Sequence, residues 1–197
     1  MVHEHGKAKV DRQMPLDCVI LLAGASRWRV WESTNMSVHD TLIASLEAQR
    51  KEIDQRLASL PEAVLDQKGA VGEASIKNVL AQLTAWELVV VQALLEGIET
   101  GVRPPVLGEI ERDWALWNAA QSAESEYLTP EDQMVEWNWA QAVLIQYLRD
   151  LDEMTLTRTH PWDGWDGTVA EYVTDAILRR EREQFDAIQA ALARSGA

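Results

Sequence analysis

The chain predicts an all-α protein, a four-helix bundle with an up-down-down-up course and a long crossover between helices two and three. Three observations predict it. Apolar residues recur at three- and four-residue spacing almost throughout residues 37–193, the period of an amphipathic helix. The long helical stretches open on capping residues, Ser37, Ser75, Thr129 and Thr168, whose side chains can accept from the free N–H groups of a first turn. Residues 102–129 separate the second and third stretches, a connector far beyond the roughly two to eight residues usual between antiparallel neighbours. It allows the chain to return along the bundle, so that helices two and three run the same way.

Helix one follows Ser37, with Leu42, Leu46, Gln49, Ile53, Leu57 and Leu60 on its inner face, and Pro61 stops it. Ser75 caps helix two, which turns Ile76, Val79, Leu83, Trp86, Val90 and Leu94 inward and ends between Gly97 and Gly101. The connector carries Pro104-Pro105 and one short expected helix, about Glu109 to Gln121, with Trp114 and Trp117 on it. Thr129-Pro130-Glu131-Asp132 joins a cap, a proline at the first helical position and two acids in the first turn. Helix three then buries Met134, Trp137, Gln141, Leu144, Leu148 and Leu151. After a Gly- and Trp-containing loop at residues 155–167, Thr168 caps helix four, whose inner positions run Tyr172 or Val173, Ile177, Arg180, Gln184 and Ile188. Residues 36–197 form this single domain.

Residues 1–35 read differently. They carry five basic groups (Lys7, Lys9, Arg12, Arg27, Arg29) against four acids (Glu4, Asp11, Asp17, Glu32), so the chain's net charge of −14 belongs to the helical domain. Cys18–Ala25 mimics a secretory signal, but Asp17 interrupts it and the apolar stretch is short. Met36 before Ser37-Val-His-Asp40 also resembles a natural start, which makes residues 1–35 an extension or an upstream over-read, expected to be poorly ordered. Cys18, the single cysteine, excludes an intrachain disulfide and a cysteine metal cluster and makes a reducing cytoplasm the expected location. The acidic balance opposes nucleic acid and anionic membrane surfaces as partners. No apolar run approaches the roughly 20 residues of a membrane span.

Nine tryptophans stand against one phenylalanine. An indole offers a broad apolar face and one N–H donor, which suits a pocket wall, a core or an interface. Gln82, four residues before Trp86, and the pair Arg180 and Gln184 put three polar side chains where the helical pattern asks for apolar ones. Such groups must be hydrogen-bonded, hydrated or faced by a cavity, because an unpaired buried amide costs about 1–3 kcal/mol. Arg180 can alternatively snorkel or pair with Glu136 or Glu183. His3, His5, His39 and His160 offer no inner-face pair at ligand spacing, so no metal is expected. No nucleophile elbow occurs, and a general acid or base could come from Glu87, Glu136 or Asp175 without the sequence choosing among them.

The string Ile76-Lys-Asn-Val-Leu-Ala-Gln-Leu-Thr-Ala-Trp86-Glu87, then Trp117-Asn118, then Pro161-Trp162 and Trp165, in this order, resembles the DinB-like superfamily and, more narrowly, the ClbS/DfsB family of colibactin self-protection type. The resemblance implies the up-down-down-up bundle. Many DinB-like proteins hold a divalent metal through three histidines; the corresponding places here are Gln82, Arg180 and Gln184. Their loss points to the metal-free branch, which takes up a small reactive metabolite and, in its best-known member, hydrolyses a strained cyclopropane. The implied function is metal-independent binding of such a molecule, with or without its hydrolysis, and no cofactor. Its expected frame is Trp86, Trp117, Trp137, Trp162 and Trp165. Arg180 would orient an anionic or carbonyl group, Gln82 or Asn118 would position ligand or water, and Gln184 would complete the polar set. The alternatives are a non-catalytic homodimer with a Trp-rich interface and a metal-dependent thiol transferase.

Overall fold

The computed structural model describes residues 36–195, and the expectations for residues 1–35, with Cys18, Trp28 and Trp31, lie outside them. The described residues form helices without a strand. Each predicted cap is the observed one. Ser37 accepts from the Asp40 N–H and starts α1 (Val38–Leu57). After the short α2 (Glu62–Leu65), Ser75 and Asn78 form a capping box at the head of α3 (Ile76–Thr100), and Gly101 ends that helix at φ 70°, a left-handed conformation that glycine adopts without a Cβ penalty. Thr129 with Asp132 caps α6 (Pro130–Asp150). Thr168 with Glu171 caps α8 (Val169–Val173), which runs on through a π-helical segment (Thr174–Arg179) into α9 (Arg180–Ser195). Each such cap contributes about 1 kcal/mol.

The connector departs from expectation. It holds two helices, α4 (Pro105–Arg112) and α5 (Trp114–Ser125), rather than one. Asp113, at φ −145° and ψ 68°, breaks the helical path, and its carboxylate then accepts from the Leu116 N–H to begin α5. Residues 155–157, expected to open the loop, instead end a short helix, α7 (Glu153–Thr157), capped by Asp152.

Hydrogen bonds between helices give their relative directions. Leu46 and Arg50 of α1 meet Gln141 and Trp137 of α6, so rising numbers on one face falling numbers on the other. Gln49 and Glu52 meet Leu178 and Arg182, so α1 and α9 run together. Lys77 reaches the Leu128 carbonyl and Thr84 receives Gln133, so α3 and α6 also run together. α5 packs back along α3, where Gln82 and Asn78 meet Ser122 and Ser125.

The core has two apolar halves. One gathers Leu46, Val90, Leu94, Leu144, Leu148, Trp162, Val173 and Ile177. The other gathers Ile53, Leu57, Ile76, Leu80, Leu83, Trp137, Phe185 and Ile188. Between them along every long helix lies a buried polar residue: Arg50 on α1, Glu87 on α3, Gln141 on α6 and Glu181 on α9. Helix α3 is long and apolar enough to cross a membrane, contrary to the expectation of no such run; most of that stretch is buried inside the bundle.

Candidate functional site

Sequence pattern places Trp86 mid-way along α3, and the fold sets three elements around it. The loop after α7 is pinned at its base by a bridge between Thr159 and Thr168 and by the His160 N–H donating to the Gly167 carbonyl. It delivers Trp162 and Trp165, both edge-on to Tyr172 at centroid distances of 4.8 and 5.3 Å. Trp162 lies flat against Gly97, where a Cβ would come within 2.5 Å of the indole, so only glycine permits this approach. Trp165 is held by its Nε1 donating to the Thr168 carbonyl at 3.0 Å.

The π-helical segment supplies the opposite wall. A π turn leaves carbonyls outside the regular ladder and recurs at functional sites. Here Trp86 Nε1 donates to the Ala176 carbonyl at 2.7 Å, and Gln49 Nε2 donates to the Leu178 carbonyl at 2.9 Å from the other side. The segment also shifts the register of the last helix. The buried line runs Ile177, Glu181, Phe185, Ile188, not through Arg180 and Gln184 as the sequence pattern predicts. Those two are half-buried on the flank.

The result is a cavity of about 280 Å³ lined by Trp86, Trp162, Trp165, Tyr172, Leu107 and Ala176, and by the charged groups Arg103, Glu111, Asp175, Arg179, Arg180 and Glu183. Arg180 is its distinctive member. Its guanidinium lies over Trp114 at 4.0 Å and over Trp86 at 4.8 Å. Its Nε is buried without a hydrogen-bond partner. Burial lowers its pKa to about 10, with Arg179 adding to the effect and Glu183 opposing it. Burial likewise pushes the Tyr172 hydroxyl up to about 12, so it is a neutral donor near pH 7.

The predicted residues do not all meet here. Trp86, Trp162, Trp165 and Arg180 line the cavity. Trp117 stacks on Trp114 at 5.2 Å and backs Trp86 edge-on at 6.3 Å, outside the lining. Asn118 is half-buried with its Oδ1 unpartnered. Gln82 donates to Ser122 at 3.0 Å, tying α3 to α5 rather than bonding Arg180 or Gln184. Trp137 is fully buried in the second core half, because α6 turns it inward beneath Arg50, whose guanidinium sits 3.7 Å above the ring.

Arg50 belongs to a cluster that the sequence reading did not assemble. It donates to Glu87, to Glu181 at 2.6 Å and to the Trp137 carbonyl at 2.7 Å, and Gln49 donates to Glu181 at 3.0 Å. Burial pushes the Glu87 carboxyl well above the usual carboxylate range; Arg50 opposes the shift and the neighbouring Glu181 reinforces it. Two carboxyl groups thus share a single guanidinium inside the core. A signal was present. Leu46-Arg50-Ile53, Leu83-Glu87-Val90 and Ile177-Glu181-Phe185 each put one charge at an apolar position of a helical stripe.

The places matched to family histidines do not suit a divalent metal. Gln82 is engaged with Ser122, and the Arg180 guanidinium carries positive charge with no lone pair to donate. Among the described residues no group of three His, Cys, Asp or Glu side chains is arranged to hold a metal ion. Comparison with curated proteins finds no match. A family model of the DinB superfamily matches residues 45–191, well over half of the chain, and the described residues are all-helical: the chain belongs to the DinB superfamily.

Proposed function

We propose that the protein binds a small reactive metabolite without a metal, in the manner of the ClbS/DfsB self-protection proteins that its motifs resemble, and that the cavity beside Trp86 is the binding site. The observation that carries this reading is Arg180: a cation clamped by two indoles, with a buried donor left unsatisfied, on the wall of a concave, aromatic-lined cavity. A buried unsatisfied donor costs about 1–3 kcal/mol, and more when charged, so its persistence favours a role outside stability. The volume sits near the lower edge of small-molecule sites, which favours a compact ligand. Hydrolysis at this site would need a water held beside the ligand, and Glu111, Asp175 and Glu183 are the lining carboxylates able to accept from one.

The test is intrinsic tryptophan fluorescence titrated with benzamide and with benzoate, two small flat molecules. A saturable change for either supports a pocket. A linear, non-saturating response to both would overturn the reading.

A further inference from the structure

Six charged side chains line the cavity, and their pairing is uneven. Arg103 takes Glu111 at 2.6 Å. Arg179 takes Asp175 through two bonds, at 2.6 and 3.0 Å, and Glu183 at 2.8 Å. All three carboxylates are thereby engaged by two arginines. Arg180 is left without an ion pair, although Glu183 lies only three residues on. The chain places Arg180 in a partly desolvated position and gives it stacking partners instead of an anion.

Three features of this arrangement define the missing anion. The first is charge. The six lining charges sum to zero, but Arg103 and Arg179 take all three carboxylates, so one added negative charge would meet Arg180, whereas a second would find no unpaired lining cation. The second is shape. The guanidinium is stacked 4.0 Å from Trp114 and makes no hydrogen bond through its terminal nitrogens, a planar donor fork that matches a carboxylate with two parallel bonds. The third is the body of the ligand. Trp86, Trp162, Trp165 and Tyr172 present indole and phenol surfaces that favour a flat, unsaturated group over a flexible polar one.

We infer that the ligand is a planar monocarboxylate on a flat, unsaturated body, received by Arg180. The inference rests on the cavity being a binding site. It is tested by calorimetric titration of the full chain, and of its Arg180→Gln and Arg180→Lys variants, with benzoate, benzamide and phenyl phosphate. Benzoate is expected to bind at least about tenfold tighter than benzamide and tighter than dianionic phenyl phosphate, a difference of about 1.4 kcal/mol for each tenfold. Arg180→Gln should weaken benzoate at least about tenfold, and by more than it weakens benzamide, so that the preference for the anion is lost. Arg180→Lys, which keeps charge but loses the fork, should recover part of the difference, and circular dichroism should find both variants folded. Benzamide binding as well as benzoate, phenyl phosphate binding better, or Arg180→Gln retaining full benzoate affinity would each overturn the ligand class while leaving the pocket standing. Failure of all three probes to bind would instead remove the pocket reading, and this inference with it.

Discussion

Two arginines in this bundle stack on tryptophan, and the chain treats them in opposite ways. Arg50 lies 3.7 Å above Trp137, and Arg180 lies 4.0 Å above Trp114. Both have a buried Nε without a hydrogen-bond partner. Arg50, however, is enclosed by Glu87, Glu181 and the Trp137 carbonyl, drawn from three different helices. Arg180 has none of these, and its neighbours' carboxylates are committed to Arg179 and Arg103. The same residue pair therefore serves two ends. Where the chain supplies the counter-charge, the arginine joins helices; where it withholds it, the arginine is left stacked without an ion pair, as the proposed ligand site requires.

The comparison is most sharply broken by truncating each arginine in turn. Arg50→Met leaves Glu87 and Glu181 facing one another in the core, and should lower the unfolding free energy in urea by about 3–5 kcal/mol, the loss typical of a broken buried charge pair. Arg180→Met keeps the stem packed on the indoles and removes only an unmatched charge, so its change should stay within about 1 kcal/mol. Equal losses for the two variants would erase the distinction.

A smaller effect is expected where the cavity wall rests on the core. Gly97→Ala drives a methyl into Trp162 and should cost about 1–3 kcal/mol by overpacking. Probe binding should weaken in the same variant, because the displaced indole lines the cavity. Unchanged stability and binding would mean that the wall yields freely.

The buried cluster should also declare itself through pH. Glu87 has its pKa raised in the folded chain from 4.5, by burial first. Between that value and the folded one, the native protein holds a proton that the unfolded chain has released, so stability falls as pH rises through this window. Asp54, raised by burial with Arg50 opposing, acts in the same direction. Urea unfolding measured at rising pH from 4.5 upward should therefore show declining stability in the native sequence and a flatter profile in Glu87→Gln. Identical slopes would detach this pH dependence from Glu87. The mildest change is Glu183→Gln, which removes the nearest internal competitor for Arg180; benzoate affinity should rise by a few-fold at most, since exposed ion pairs are weak.

Local signals carried most of the fold. Ser37, Ser75, Thr129 and Thr168 could be recognised as caps because a cap depends on residues within three positions of it. The break at Asp113 could not be recognised, since aspartate tolerates several backbone conformations and Trp114 to Gln121 is helical on its own terms. The π-helical segment was equally hidden. Its stray carbonyls are satisfied by Trp86 and Gln49, distant in sequence, and its shift of register moves Glu181 inward and Arg180 to the flank. Trp137 was misplaced for a related reason: an inner-face tryptophan reads the same whether it meets a cavity or a packed core. Arg180 stood out in the sequence because a charge departs from the apolar helical pattern, and Trp162 and Trp165 because large indoles are unusual in a connecting loop; Trp86 fits its apolar stripe and was singled out only as a tryptophan.

Nuclear magnetic resonance of the arginine Nε–H groups separates an arginine that receives a ligand from one that only joins helices. With benzoate added to the full chain, the Arg180 Nε–H signal, assigned by its loss in Arg180→Gln, should shift saturably while that of Arg50 stays in place. An Arg180 signal that does not move, or one that moves no more than that of Arg50, would contradict the account.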